Sequence, residues 1–224
     1  VINDLVDSEI DKHVERTKGR PLASGELTKK EAFIFLLFFL VIAFSLAVSL
    51  GRDVMPWSLG GFALTIIYPF CKRFISSPQI VLGLAFSWSI PMAYVACGSE
   101  FDLAMFLLWI GVAIWIVSYD TFYALVDIDD DLRTGVFSTA ILFGNKVSMI
   151  TSALQIISLT LWAWIGIIWQ MGSIYYVMLV IILMLFARQQ FLISRREKGA
   201  CFSAFSESWY VGFFHFLAIF IGLS

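Results

Sequence analysis

Polar residues, most of them aspartates, recur at helical spacing in two groups, one near the start of the chain and one near its middle; we call these the acidic groups. The first lies in NDLVDSEID (3–11) and consists of Asn3, Asp7 and Asp11. The second lies in YDTFYALVDIDDD (119–131) and consists of Asp120, Tyr123, Asp127 and Asp131. Spacings of three and four residues put side chains on one face of an α-helix. We therefore predict two acidic helix faces, one in each segment.

These residue types suit the binding of a divalent cation and a phosphate. Like charges four residues apart destabilise a helix by a few tenths of a kcal/mol, so folding alone does not favour them. Mg²⁺ takes carboxylate oxygens and commonly shares the oxygens of substrate phosphates. Basic residues nearby suit a multiply charged anion, and they are Lys12, Arg16, Arg20, Arg73 and Arg133. The pattern predicts a metal-bridged diphosphate.

The rest of the chain has the composition of a membrane protein. Of its 224 residues 60% are hydrophobic and 14% are charged, whereas soluble domains are about a quarter charged. Apolar runs long enough to span a bilayer lie near 31–50, 54–71, 79–97, 103–119, 147–169, 174–193 and 208–223. The runs lack the alternating polarity of a membrane β-barrel. We predict an all-α bundle with seven spanning helices.

The basic residues predict the orientation of this bundle. Of the 15 lysines and arginines, 13 fall in alternate intervals between the apolar runs, Arg188 lies near the end of the run at 174–193 that leads into one of these intervals, and Arg52 alone lies on the other side. Such asymmetry marks the cytoplasmic side, and it assigns to that side the segments 12–30, 71–78, 120–146 and 194–207. Solvent-exposed acidic residues at the end of a helix would explain either acidic group alone. Two groups on one side of the membrane favour a shared site.

Several long motifs resemble those of the UbiA family of intramembrane aromatic prenyltransferases. The segment NDLVDSEIDKHVERTKGRPLASG is similar to the family's NDxxDxxxD and RTxxRP region, and YDTFYALVDIDDDLRTGVFSTAILFG to its second acidic region. Between them, YPFCKR and PQIVLGLAFSWSIPMA resemble the subgroup that prenylates 4-hydroxybenzoate in ubiquinone synthesis. REKGACFSAF and WYVG continue the match, so that the resemblance covers essentially the whole chain.

The resemblance implies a nine-helix membrane bundle around a cavity open to lipid. Residues 1–224 would then be a single membrane-embedded domain that lacks the first helix and most of the second. The family's metal motifs map onto Asn3, Asp7, Asp11, Asp127 and Asp131. Its substrate-binding and basic positions map onto Arg16, Arg20, Arg73, Asp120 and Tyr123. The expected catalytic residues are Asp7, Asp11, Asp127, Asp131 and Arg73.

The implied reaction is Mg²⁺-dependent transfer of a polyprenyl group from polyprenyl diphosphate to the ring carbon ortho to the hydroxyl of 4-hydroxybenzoate. Diphosphate is released, and the expected location is the bacterial inner membrane with the active site facing the cytoplasm. Membrane lipid is an expected partner, and neither nucleic acid nor a protein partner is implied. Arg73 would hold either the benzoate carboxylate or the diphosphate, since a guanidinium suits both.

Two positions depart from the family pattern. Ser8 stands where relatives often carry a basic residue, and Phe137 where many carry lysine. Both changes are expected to remove positive charge near the diphosphate.

Besides a structural or inactive relative, which the changes at Ser8 and Phe137 would allow, two alternatives remain open at this point. One is a related prenyltransferase with a haem, naphthoate or chlorophyll-precursor acceptor. The other is a cation transporter that uses the acidic faces, although the middles of the apolar runs carry almost no ionisable groups and transport pathways usually do.

Overall fold

All regular structure in the described part of the chain is helical. A computed structural model describes residues 1–14 and 16–223. In chain order the helices are α1 (Ile2–Asp11), α2 (Pro21–Ser24), α3 (Lys29–Ser49), α4 (Val54–Cys71), α5 (Pro78–Ser87), α6 (Ser89–Ala96), α7 (Leu103–Val126), α8 (Ile128–Thr134), α9 (Thr139–Phe143), α10 (Val147–Ile168), α11 (Ser173–Ser194), α12 (Lys198–Ser206) and α13 (Ser208–Gly222). A 3₁₀ turn, Gly144–Lys146, joins α9 to α10.

Seven stretches of helix in the described residues are long and apolar enough to cross a membrane, which confirms the predicted number. They are Lys29–Ser49, Val54–Cys71, Pro78–Ala96, Leu103–Val126, Thr139–Ile168, Ser173–Ser194 and Lys198–Gly222. The chain is therefore a multi-pass membrane protein. Exposed aromatic side chains on α3, such as Phe33, Phe38 and Phe44, suit a helix in contact with lipid.

The intervals between the apolar runs contain more helix than expected. The interval 120–146, assigned to the cytoplasmic side, begins with the last turns of α7, which continues to Val126, and α8 and α9 follow it. The segment 194–207, also assigned to the cytoplasmic side, is occupied for the most part by α12. Hydropathy detects where a helix leaves hydrocarbon and does not detect where its backbone hydrogen bonding ends. The acidic residues of the second group consequently lie on helical elements or at their junction.

Helix α7 lies at the centre of the bundle, and it packs against α5, α10 and α12. Near the turn between α10 and α11, Trp162 of α10 and Tyr175 of α11 are fully buried, and the Tyr175 hydroxyl donates a hydrogen bond to the Trp162 carbonyl at 2.7 Å. Near the other end, Phe122 of α7 packs in a cluster with Ile193 and Cys201. The packing of α5, α10 and α12 around α7 fixes the helix that carries Asp120 and Tyr123.

Close packing of α5 on α7 depends on Gly83. A Cβ atom at this position would lie 2.7 Å from the backbone oxygen of Ala113. Gly83→Val is therefore expected to lower the free energy of unfolding by about 1–3 kcal/mol, because the two helix backbones would have to separate. Chemical unfolding in detergent micelles would measure this loss.

The matched control for this variant is Gly199→Ala in α12. A Cβ atom at Gly199 would meet no atom within 4 Å, so this change should leave stability nearly unaltered. Equal stability of the two variants would contradict the close α5–α7 contact.

Candidate active site

A cavity of about 410 Å³ brings both acidic groups together. Its walls come from α1 and the segment after it, from α5 and the end of α4, from α7, from α8 and the segment after it, and from α12. Nine of the predicted site residues line it: Asn3, Asp7, Asp11, Arg16, Arg20, Asp120, Tyr123, Asp127 and Asp131. Residues separated by about 120 positions in the sequence thus face one space.

The first acidic face is confirmed as one face of α1. Asp7 and Asp11 are buried against the cavity, whereas Glu9 is exposed and pairs with Lys12 at 2.9 Å. The buried carboxylates are also paired: Arg20 Nη1 lies 3.0 Å from Asp11, and Lys72 Nζ lies 3.3 Å from Asp7. Burial of these acids is tolerated because each has a cationic partner.

The second acidic face is not continuous, and the prediction that one helix carries it was wrong. Helix α7 ends at Val126, and Asp127 has φ −99° and ψ 5°, outside the helical range. Helix α8 begins at Ile128 with three aspartates in its first turn, where the helix dipole favours negative charge. Asp120 and Tyr123 therefore come from α7, Asp127 from the junction and Asp131 from α8. All four still line the cavity.

Arg16 joins the two halves of the site. Its guanidinium forms a two-pronged contact with Asp127, with Nε 3.1 Å from Oδ1 and Nη2 2.5 Å from Oδ2. The same group lies over the Tyr123 ring at 4.4 Å. Burial opposes the charge of Arg16, but the hydrogen bond and negative charge of Asp127 outweigh it and raise the Arg16 pKa. Arg16 is thus a fixed positive charge beside the second acidic group.

Of the two basic residues at the end of α4, Lys72 lines the cavity and the predicted Arg73 does not. Lys72, which was not among the predicted site residues, lines the cavity, and its Nζ atom lies 5.6 Å from the centre of the Tyr68 ring. Arg73 is not among the lining residues, and its Nη2 donates to the Val6 carbonyl at 3.0 Å and lies 3.7 Å from Asp7. The four-residue spacing of Tyr68 and Lys72 in YPFCKR was the signal that could have identified Lys72.

The two departures from the family pattern have different surroundings. Ser8 is buried, its hydroxyl donates to the Leu5 carbonyl at 3.3 Å, and it is not among the lining residues. Phe137 does line the cavity, and its backbone N–H donates to the Lys72 carbonyl at 2.8 Å. Only the second departure therefore bears on the charge that a ligand in the cavity would meet.

The donor set suits a divalent cation, although the carboxylates are held in separate groups. Within residues 1–14 and 16–223, no three His, Cys, Asp or Glu side chains are close enough to share one ion. The Asn3 Oδ1 atom is buried and lacks a hydrogen-bond partner in this described part. An orphaned amide oxygen beside carboxylates offers the hard oxygen ligands that Mg²⁺ prefers. The residues present therefore fit such an ion.

A second cavity, of about 510 Å³, has a different character. It lies among α5, α7, α9 and α10, and the hydroxyls of Ser77 and Thr139, with the Trp109 indole, are the polar groups of its lining. It offers no charged group to a diphosphate. The smaller cavity is therefore the candidate active site.

The fold and this site define a class: helical multi-pass membrane proteins with an acid-rich cavity at one end of the bundle. The family model described as the UbiA prenyltransferase family matches residues 1–218. The chain belongs to the UbiA prenyltransferase family, as its motifs led us to expect.

Sequence relatives agree with this assignment. A protein of Saccharophagus degradans named 4-hydroxybenzoate octaprenyltransferase is 46% identical over 221 residues, which are 99% of this chain and 74% of that protein. A protein of the same name from Psychromonas ingrahamii is 45% identical, with 99% of this chain and 77% of the relative covered.

Solved structures agree on the fold. The apo structure of a UbiA homolog from Aeropyrum pernix K1 superposes with a TM-score of 0.86 at 22% identity, over 100% of this chain and 83% of that one. A UbiA homolog from Archaeoglobus fulgidus bound to GPP and Mg²⁺ has a TM-score of 0.71 at 20% identity, over 97% of this chain and 81% of that one. These likenesses confirm the all-helical membrane fold.

Proposed function

We propose that the protein transfers a polyprenyl group from polyprenyl diphosphate to the carbon ortho to the hydroxyl of 4-hydroxybenzoate, in ubiquinone biosynthesis. The observation that carries the proposal is the meeting of both acidic groups with Arg16, Arg20 and Lys72 in one cavity. The relatives named 4-hydroxybenzoate octaprenyltransferase support the acceptor and the isoprenoid donor. We place the protein in the bacterial inner membrane, with this cavity on the cytoplasmic side, because the basic residues are so distributed.

In this proposal Asn3, Asp7, Asp11, Asp127 and Asp131 would hold Mg²⁺. The Archaeoglobus fulgidus homolog was solved with GPP and Mg²⁺, which supports the choice of ion. When bound, Mg²⁺ would take up negative charge from the diphosphate oxygens and so make diphosphate a better leaving group.

The chain's own basic residues would hold the diphosphate. Arg16, Arg20 and Lys72 line the cavity beside the carboxylates, and donors fixed in advance stabilise developing charge without reorganisation. In the described structure these cations pair with Asp127, Asp11 and Asp7. Binding of the ion and diphosphate would replace these pairs with cation–phosphate contacts. Arg73 would act from the rim, on Asp7 or on an anion at the entrance.

The remaining lining would protect the reactive intermediate. Tyr119, Leu82, Phe86 and Phe205 line the cavity next to the polar groups. Apolar and aromatic walls exclude water, which would otherwise capture the allylic cation formed when the C–O bond breaks. The prenyl tail gains about 0.8 kcal/mol per CH₂ by staying in hydrocarbon, which favours a site inside the bilayer.

The direct test uses the protein reconstituted in membranes. Mg²⁺, geranyl diphosphate and 4-hydroxybenzoate are expected to give a ring-prenylated product, and a chelator should abolish it. Parallel reactions contain a naphthoate acceptor, a chlorophyll precursor or haem. Product with one of these and none with 4-hydroxybenzoate would assign a different acceptor. Cation flux without any prenyl product would support a transporter instead.

Acidic pH is expected to weaken the apparent affinity for Mg²⁺. Burial, together with the negative charge of Asp127, raises the pKa of Asp131 to about 6. Above that pH the carboxyl is ionised and can bind the cation, and below it a proton competes. The Mg²⁺ concentration for half-maximal rate should rise by about tenfold per pH unit below 6.

Rates measured across a Mg²⁺ series at several pH values check this expectation. Saturating Mg²⁺ should restore much of the rate lost at low pH. A half-maximal Mg²⁺ concentration that does not change through this range would contradict the role of Asp131 as a ligand.

A further inference from the structure

Asp120 and Asp131 differ from the other three carboxylates of the active-site cavity in forming no ion pair within the described residues. Asp7, Asp11 and Asp127 are paired with Lys72, Arg20 and Arg16. Across the described ranges 1–14 and 16–223, Asp120 forms no ion pair, although it lines the same space. A carboxylate beside a guanidinium or ammonium holds a proton poorly, because the cation stabilises its charged form. Asp120 is therefore better suited to accept a proton than its paired neighbours.

Asp131 is the other lining aspartate without an ion pair in the described structure, but its position is different. It lies on α8, beyond the break in the helix, among the proposed Mg²⁺ ligands. Asp120 lies on α7, seven residues before Asp127, which is about 10 Å along a helix. Its neighbour in the chain, Tyr119, lines the cavity, as do the apolar and aromatic side chains of Tyr68, Leu82 and Phe86. Asp120 is thus the carboxylate placed beside the apolar part of the cavity, where an aromatic ring would bind.

Gln79, which lines the same cavity, forms a hydrogen bond with the Asp120 carboxylate and orients it. Gln79 is buried, and its Oε1 atom accepts the backbone N–H of Thr139 at 2.9 Å. A backbone N–H can only donate, so the orientation of the amide is determined. The Nε2 group is left to donate to the Asp120 carboxylate, with which the Gln79 side chain forms a hydrogen bond. Gln79 therefore links α5, α7 and the start of α9 at this carboxylate.

We propose that Asp120 accepts the proton that the aromatic ring loses after prenylation, and that Gln79 is the positioning residue that orients the Asp120 carboxylate for this step. The proposal rests on the prenyl transfer proposed above. In that reaction the allylic carbon leaves the diphosphate and bonds to the ring carbon ortho to the hydroxyl. The C–H bond at that carbon then breaks. Its electron pair returns to the ring and its proton passes to an Asp120 oxygen.

The test compares 4-hydroxybenzoate with the same acid deuterated at both carbons ortho to the hydroxyl. The wild-type protein should turn over both at nearly equal rates with geranyl diphosphate and Mg²⁺, because formation of the allylic cation is slower than proton loss. Asp120→Asn should lower kcat by about 100-fold, the usual contribution of a positioned base. Proton loss should then limit the rate, and a primary isotope effect above about 2 should appear.

Gln79→Leu should have the same kinds of effect on kcat and on the isotope effect as Asp120→Asn, with a smaller loss of kcat. We expect a loss of about tenfold in kcat with KM for both substrates nearly unchanged, and the isotope effect should again appear. Gln155→Leu is the matched control, since Gln155 is equally buried, donates to Gln189 at 2.8 Å, and is not among the lining residues. That variant should retain wild-type rates and show no isotope effect.

The isotope effect is a ratio measured on one protein, so loss of folded material cannot produce it. Slower turnover of Asp120→Asn and Gln79→Leu without an isotope effect would overturn the proposal, as would an increase in KM alone. Absence of product from the wild-type protein would contradict the proposed function itself, and this proposal with it. Product from the wild type together with wild-type kinetics of the variants would overturn only the role of Asp120 and Gln79.

Discussion

Asp127→Ala is expected to lower the rate of prenyl transfer by about 10³-fold, the largest effect of any single substitution considered. Asp127 stands at the break between α7 and α8 and faces the cavity. Its loss would remove a ligand of the proposed Mg²⁺ and with it several kcal/mol of charge stabilisation on the leaving diphosphate. It would also leave Arg16 without its partner. Steady-state rates with geranyl diphosphate and 4-hydroxybenzoate measure the loss.

Asp129→Ala is the matched control, two residues further along the chain. Asp129 is exposed, pairs with Lys198 at 3.1 Å and is not among the residues that line the cavity. An exposed pair of this kind contributes little, so this variant should keep nearly wild-type activity. Similar activities of the two variants would contradict a specific role of Asp127.

Lys72→Met is expected to cost about 10²-fold in rate, the range found when one fixed donor to a developing negative charge is removed. Its ammonium group lies inside the cavity, 3.3 Å from Asp7. Arg73→Met should cost several-fold less, because the Arg73 side chain lies outside the lining and donates to the Val6 carbonyl.

Adjacent positions make this a close comparison, since both variants lose one positive charge and keep an unbranched side chain. Product formation at saturating and limiting geranyl diphosphate separates effects on kcat and KM. A larger loss for Arg73→Met than for Lys72→Met would reverse our assignment and restore Arg73 as the principal cation.

The spanning helices were predictable because apolar runs of bilayer length leave few alternatives. The run at 54–71 coincides with α4, and all seven spans were found. The ends of α7 and α12 were not predictable in the same way. Residues 120–126 and 198–206 continue as helix beyond the apolar runs, since backbone hydrogen bonding does not depend on hydropathy.

The composition of the site was predictable from spacing and motif, but its geometry was not. Asp7 and Asp11 share a face of α1, as the four-residue interval required. Asp127 and Asp131 face the cavity because the helix is broken at Asp127, and the spacing of residues in the sequence could not indicate that break. The four-residue spacing from Tyr68 to Lys72 was the one sequence signal for Lys72, whereas Gln79 was missed because a single glutamine carries no spacing pattern. Their roles follow only from contacts with Asp7 and Thr139.

The central claim is that two acidic groups far apart in the sequence bind one metal-bridged diphosphate. Mg²⁺-dependent binding of inorganic diphosphate, measured by titration calorimetry, tests it in the wild type, Asp7→Asn, Asp127→Asn and the double variant. Residues that act on one ligand are strongly coupled, so the double variant should bind little worse than either single variant. Losses that simply add, or Mg²⁺-dependent binding unaffected by either substitution, would contradict a shared site.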